Sequence, residues 1–158
     1  MALPLFKQAS LKPSQATQPS RRQGDRSSPG SYVELILSEG QDNSFLLPML
    51  SQVCHAEDLM PSAQDKWCAL VNAPASFSKH SLLQANVNLD RILQVKQNPR
   101  NNINSGDIDS PAIQLAEHGN CSTIVCWTST KNIGAQKRLE YLAKKNNCQI
   151  ISIRYRNN

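Results

Sequence analysis

From Ser31 onward the chain alternates short Val/Ile/Leu runs with segments of helical periodicity, and this alternation constrains the fold most. The runs are YVELILS (32–38), KWCALVN (66–72), RILQV (91–95), STIVCW (122–127) and QIISIRY (149–155). Their length and aliphatic content suit strands buried on both faces of a mostly parallel sheet. Helical segments are expected between them at 45–55, 78–85, 110–118 and 133–146. The last is the clearest: Ala135, Leu139, Leu142 and Ala143 form an apolar stripe, while Lys137, Arg138, Lys144 and Lys145 face water. Asn146 and Asn147 are good stop signals before the final strand. Strands alternating with helices imply βαβ crossovers and a three-layer α/β domain. The polar stretch at 96–109 is too long for an ordinary βα loop.

The first 30 residues differ in kind. They are rich in Pro, Ser, Gln and Arg and have few apolar groups after Phe6, too few to offset the entropy of ordering. A disordered basic tail (1–30) ahead of an α/β domain (31–158) is therefore expected. The chain of 158 residues has a formal charge of +5, but the tail carries five cations against Asp25. Residues 31–158 hold 12 basic and 11 acidic residues, so the domain lacks the clear excess of cations that duplex binding favours. No continuous apolar segment suggests a signal peptide or a membrane span, which points to the cytoplasm.

The five cysteines form no C-x-x-C pair and sit mostly in or beside apolar runs, as small buried hydrophobes in a reducing compartment do. His118-x-x-Cys121 followed by Cys126 is the nearest approach to metal spacing, but a strand would point Cys126 into the core. Cys54 has no evident histidine partner for nucleophilic work, and His55 and His80 lie in polar settings. Neither metal nor catalytic thiol is expected.

The strand–turn–helix VELILSEGQDNSFLLPML (33–50) has the layout of a phosphate cradle. Such a loop needs several glycines and a lysine. Between Leu37 and Phe45 there is only Gly40, no Lys or Arg, and two acids, Glu39 and Asp42, that would repel phosphate. A turn capped by Asp42, Asn43 or Ser44 fits better, and Pro48 keeps the helix from starting much before Phe45. A second strand, STIVCWTSTKN, ends on Trp127, Thr128 and Ser129 rather than on an acid for magnesium. No nucleotide cofactor is expected.

Taken together, DKWCALVNAP, LLQANVNLDRILQV, FLLPML and HGNCSTIVCWTS resemble the SulA family of SOS-induced bacterial cell-division inhibitors over roughly residues 32–156. The shared features are the charged residue before Trp67, the spacing to Leu89–Val95, the apolar helix broken by Pro48, and Gly119-Asn120 leading into a Trp-ended strand. The resemblance implies a RecA-like fold stripped of nucleotide-binding sequences and a protein that is not an enzyme. It implies the tubulin-like GTPase FtsZ as partner, held by the surface that would dock on the next FtsZ subunit. It further implies pairing of copies and turnover by the protease Lon. The chain ends SIRYRNN directly after the last strand, where relatives often continue with a polar tail read by Lon, so turnover is not carried over to particular residues.

By the same resemblance the FtsZ-binding positions fall on Lys66, Val71, Ser81 and Arg91, with Val87 nearby. Lys66 and Arg91 keep the positive charge and Val71 keeps an aliphatic residue. Ser81 departs from the tryptophan of the best-known members, with Phe77 and Leu82 as neighbours that could compensate. Read without the resemblance, Val71 is more often a core residue, Lys66 and Arg91 are ordinary solvated charges, and Trp67 and Trp127 are expected in the core. The alternative reading is a RecA-like accessory protein of DNA repair or translesion synthesis.

Overall fold

The structure is a computed structural model; it describes residues 29–38, 45–55, 66–97, 110–129 and 131–156. The expected tail up to residue 28, the phosphate-cradle turn at 39–44 and most of the polar stretch at 96–109 lie outside the described residues. The elements run β1 (Tyr32–Ser38), α1 (Leu46–His55), β2 (Trp67–Val71), α2 (Lys79–Gln84), β3 (Ile92–Val95), α3 (Pro111–His118), β4 (Cys121–Thr128), α4 (Ile133–Asn146) and β5 (Gln149–Arg156). Short 3-10 turns at Ala75–Phe77 and Leu89–Arg91 flank α2. Each strand and helix expected from the sequence is present within about two residues.

Five strands form one sheet in the order β1-β5-β4-β2-β3, and every pairing is parallel. The sheet is thus wholly parallel rather than mostly so. Leu46 and Leu50 of α1 and Leu82 of α2 pack on one face with Phe77, Val125, Trp127 and Ile153. Ala112, Ile113 and Ala116 of α3 and Leu139, Leu142 and Ala143 of α4 pack on the other with Ile124 and Ile150. Outward steps from β1 to β2 and β3 use the first face, and the return to β4 and β5 uses the second, as right-handed crossovers require. This is a three-layer α/β domain.

Local chemistry fixes the ends of the elements. Pro48 sits in the first turn of α1, where its missing N–H costs nothing. Asn132 caps α4 by accepting from the Ala135 N–H at 3.1 Å, and α4 ends on Asn147 in the left-handed region at φ 50°. Gly30 already belongs to the folded body: a Cβ there would lie 1.8 Å from the Ala143 carbonyl oxygen at the end of α4. Only glycine fits that approach of chain to helix.

Candidate functional site

The five positions that the resemblance assigns to FtsZ all lie on the β2–α2–β3 unit, yet they do not share one surface. Cys68 of β2 pairs with Ile92 of β3, and Trp67 and Arg91 are the residues immediately before this first pair. Neighbouring strands run about 4.8 Å apart, which puts Lys66 and Arg91 together at the amino end of the sheet. Arg91 is exposed, and the Lys66 Nζ reaches the Asn146 carbonyl oxygen at 3.5 Å, at the end of α4. The last turn of α4 adds Lys144 and Lys145 to this end. Asp90 is the neighbouring acid, in the 3-10 turn that carries Arg91.

Val71 lies five residues beyond Lys66, about 16 Å away at the carboxyl end of the sheet. It is 1% exposed and belongs to the core under α3 and α4. Val87 is 2% exposed and packs in the opposite core. Ser81 is half-buried in the first turn of α2, where its backbone N–H donates to Ser78 Oγ at 3.2 Å and the two hydroxyls meet at 2.9 Å. Phe77 and Leu82, the neighbours expected to stand in for a missing tryptophan, are both core residues and present no surface.

The two tryptophans part company. Trp127 is 7% exposed and stacks at a tilt on Phe77, ring centroids 4.9 Å apart, as a core residue should. Trp67 was expected to do the same and does not: it is 45% exposed and belongs to neither core. The reason is position. Trp67 is the first residue of β2, at the rim of the sheet, and β4 bulges beside it. Trp67 pairs with Cys121 but Cys68 with Thr123, leaving Ser122 as an extra residue.

At the other end of the sheet β2 leaves towards α2 on one face and its neighbour β4 towards α4 on the other. Open α/β sheets bind ligands at such a switch point. A crevice of about 370 Å³ opens there, lined by Val71, Asn72, Thr128, Ser129, Lys131 and Asn132 among others. Its polar groups are largely committed to the fold. Asn72 Oδ1 accepts from the Gln97 N–H at 2.8 Å, Asn132 caps α4, and the Tyr32 side chain hydrogen-bonds to Ser152. Thr128 and Ser129 close β4 where a magnesium-binding acid would stand in a nucleotide site.

Cysteine chemistry is disfavoured as well. Cys68, Cys121, Cys126 and Cys148 are buried. Burial pushes the Cys126 thiol up to about 11 and the Cys148 thiol up to about 12, so neither supplies a thiolate at neutral pH. Among the described residues no three His, Cys, Asp or Glu side chains gather as metal ligands. The raised thiols carry a pH signature. The folded protein holds these protons to higher pH than the unfolded chain, so their contribution is whole below the ordinary value of 9.0 and drains away through 11 to 12. Urea melts across that window should show stability falling with pH, and Cys126→Val should flatten the slope.

No family model matches the sequence. The chain is similar to the cell division inhibitor SulA of Pseudomonas aeruginosa, 27% identical over 128 residues, which cover 80% of this chain and 73% of that one. The crystal structure of SulA from the same organism shares the fold, with a TM-score of 0.63 at 24% identity, covering 81% of this chain and 100% of that one. The similarity to SulA thus runs along four-fifths of the sequence, and the solved SulA structure shares the fold.

Proposed function

We propose that the chain is a cell-division inhibitor that binds FtsZ and blocks its polymerisation and GTPase activity by capping the surface between subunits. The similarity to a cell division inhibitor along 80% of the chain carries this reading. The geometry supports it in two ways. The switch-point crevice has the wrong ending on β4 for nucleotide chemistry, and Cys126 and Cys148 stay protonated at neutral pH, so a binding role suits the domain better than an enzymatic one. Lys66 and Arg91, two positions the resemblance assigns to FtsZ, both come just before the first β2–β3 pair, at the amino end of the sheet. Ser81 contributes a small polar contact at most, and Val71 and Val87, both buried and in opposite cores, can act on a partner only indirectly.

Residues 31–158 are nearly neutral, with 12 basic and 11 acidic residues, so attraction to an acidic partner would be local, from Lys66 and Arg91. Complementary charge raises the encounter rate and fixes orientation. Among the described residues no helix is long and apolar enough to cross a membrane. A cytoplasmic site of action, pairing of copies and turnover by Lon complete the proposal.

Sedimentation of FtsZ with GTP tests it. The FtsZ hydrolytic site forms between adjacent subunits, so a capped subunit can neither extend a filament nor complete its neighbour's site. Polymer mass and GTP turnover should therefore fall together and titrate with the inhibitor-to-FtsZ ratio, as mass action requires. If polymer mass is untouched at about a twofold excess of inhibitor, where mass action demands depletion, the reading fails. Steep, salt-dependent DNA binding would then bring forward the repair-accessory reading.

A further inference from the structure

The geometry points to Trp67 as the aromatic anchor by which this chain grips its partner, with Lys66 and Arg91 as its cationic rim. The inference rests on the FtsZ reading and adds a residue that the resemblance does not assign to binding. Three observations carry it. The indole is 45% exposed and outside both cores, which leaves nearly half of a large apolar residue in water. Its backbone is nonetheless firmly held: the Trp67 N–H donates to the Asn120 carbonyl at 2.9 Å, and the Ser122 hydroxyl donates to the Trp67 carbonyl at 3.4 Å. Ser122 is the bulged residue of β4, so the irregularity that re-aims the strand end is tied directly to Trp67.

The third observation is what surrounds the ring. Lys66 precedes it, and Arg91 ends the 3-10 turn that leads into β3, one residue before the Cys68–Ile92 pair. Leu93, paired with Ala69 and 37% exposed, continues the apolar surface along the edge strand. Among the described residues Asp90 is the acid beside Arg91, Asp65 directly precedes Lys66 in the sequence, and the last turn of α4, with Lys144 and Lys145, lies at the same end of the sheet. An exposed tryptophan on a fixed backbone with cations around it has the composition of a binding hot spot, because little freedom is lost when the ring is buried. The partner surface it fits is an apolar pocket edged by carboxylates. On the present reading that pocket belongs to the FtsZ face that docks on the next subunit.

Fluorotryptophan incorporated into this chain alone, read by fluorine NMR, tests the assignment. The free protein should give two resonances, assigned with Trp67→Phe, of which only Trp67 shifts between light and heavy water. Adding FtsZ should move the Trp67 resonance and abolish its solvent shift while leaving Trp127 in place. In the sedimentation assay Trp67→Ala should raise the inhibitor concentration for half-block by about tenfold or more. Trp67→Phe should recover part of that loss. The assignment is wrong if wild-type protein blocks FtsZ while Trp67 keeps its solvent shift, or if folded Trp67→Ala blocks equally well. If wild-type protein leaves FtsZ assembly untouched, the FtsZ reading has failed and the anchor assignment goes with it. The resonance of the unmutated protein decides the matter even where Trp67→Ala does not fold.

Discussion

Replacing Trp127 with alanine is expected to cost about 3–5 kcal/mol of stability, the range seen when a buried large aromatic is truncated. The indole fills the centre of the face covered by α1 and α2, where it meets Phe77 and shares a core with Leu46, Leu50, Leu82 and Ile153. Its strand, β4, is flanked by β2 and β5, so the surrounding backbone cannot readily collapse into the space left behind. Trp127→Phe should cost far less. It keeps a ring against Phe77, and it removes the indole Nε1, a buried donor with no hydrogen-bond partner among the described residues. An unpaired buried donor is a penalty of about 1–3 kcal/mol, which offsets part of the lost packing. Urea denaturation followed by circular dichroism separates the two substitutions. A cost below about 1 kcal/mol for Trp127→Ala would mean that the residue does not fill a close-packed site.

The elements were legible in the sequence because each carried a local signal. Runs such as STIVCW and QIISIRY are too apolar and β-branched for anything but central strands, and β4 and β5 sit in the interior of the sheet. The stripe Ala135, Leu139, Leu142 and Ala143 gave α4 its full length, and Asn147 supplied the left-handed end. The strand order was a different matter. The first strand in the chain ends at one edge and the third at the other, an arrangement set by which crossovers bury most surface. No residue in the chain announces it by itself.

The site was legible only in part, and the misreading of Trp67 shows why. An apolar strand was taken to bury its tryptophan, and for Trp127 it does. The same rule fails at Trp67 because the first residue of a strand can project past the helices that cover the sheet. The bulge at Ser122 also changes the local pairing without any mark in the sequence. A charged residue immediately before the tryptophan, Lys66, was the available hint that the strand had not yet entered the core. Val71 and Val87 present the opposite case: the resemblance singles them out for FtsZ, and the fold places both side chains inside. Their effect on a partner can pass only through the shape of the surface above them.

Reversing charge at the amino end of the sheet is expected to disable inhibition without unfolding the protein. Arg91→Glu places an acid beside Trp67, where an acidic-rimmed partner pocket would meet a like charge instead of a cation. The inhibitor concentration for half-block of FtsZ assembly should rise by about tenfold or more, since a penalty of about 1.4 kcal/mol already gives a factor of ten. Arg91 is exposed, so stability should stay within about 0.5 kcal/mol of wild type. Lys66→Glu should weaken inhibition too, but with some loss of stability, because Lys66 also reaches the Asn146 carbonyl at the end of α4. Lys137→Glu on the exposed side of α4 makes the same change in net charge away from this end and should have little effect. Salt separates a local contact from long-range attraction. Surface charges further apart than about 10 Å are largely screened at 0.1 M, so the Arg91→Glu defect should persist at that ionic strength while any Lys137→Glu defect fades. Equal losses in Arg91→Glu and Lys137→Glu at that salt would show that inhibition follows net charge alone. The amino end of the sheet would then have no claim to be the FtsZ-binding surface.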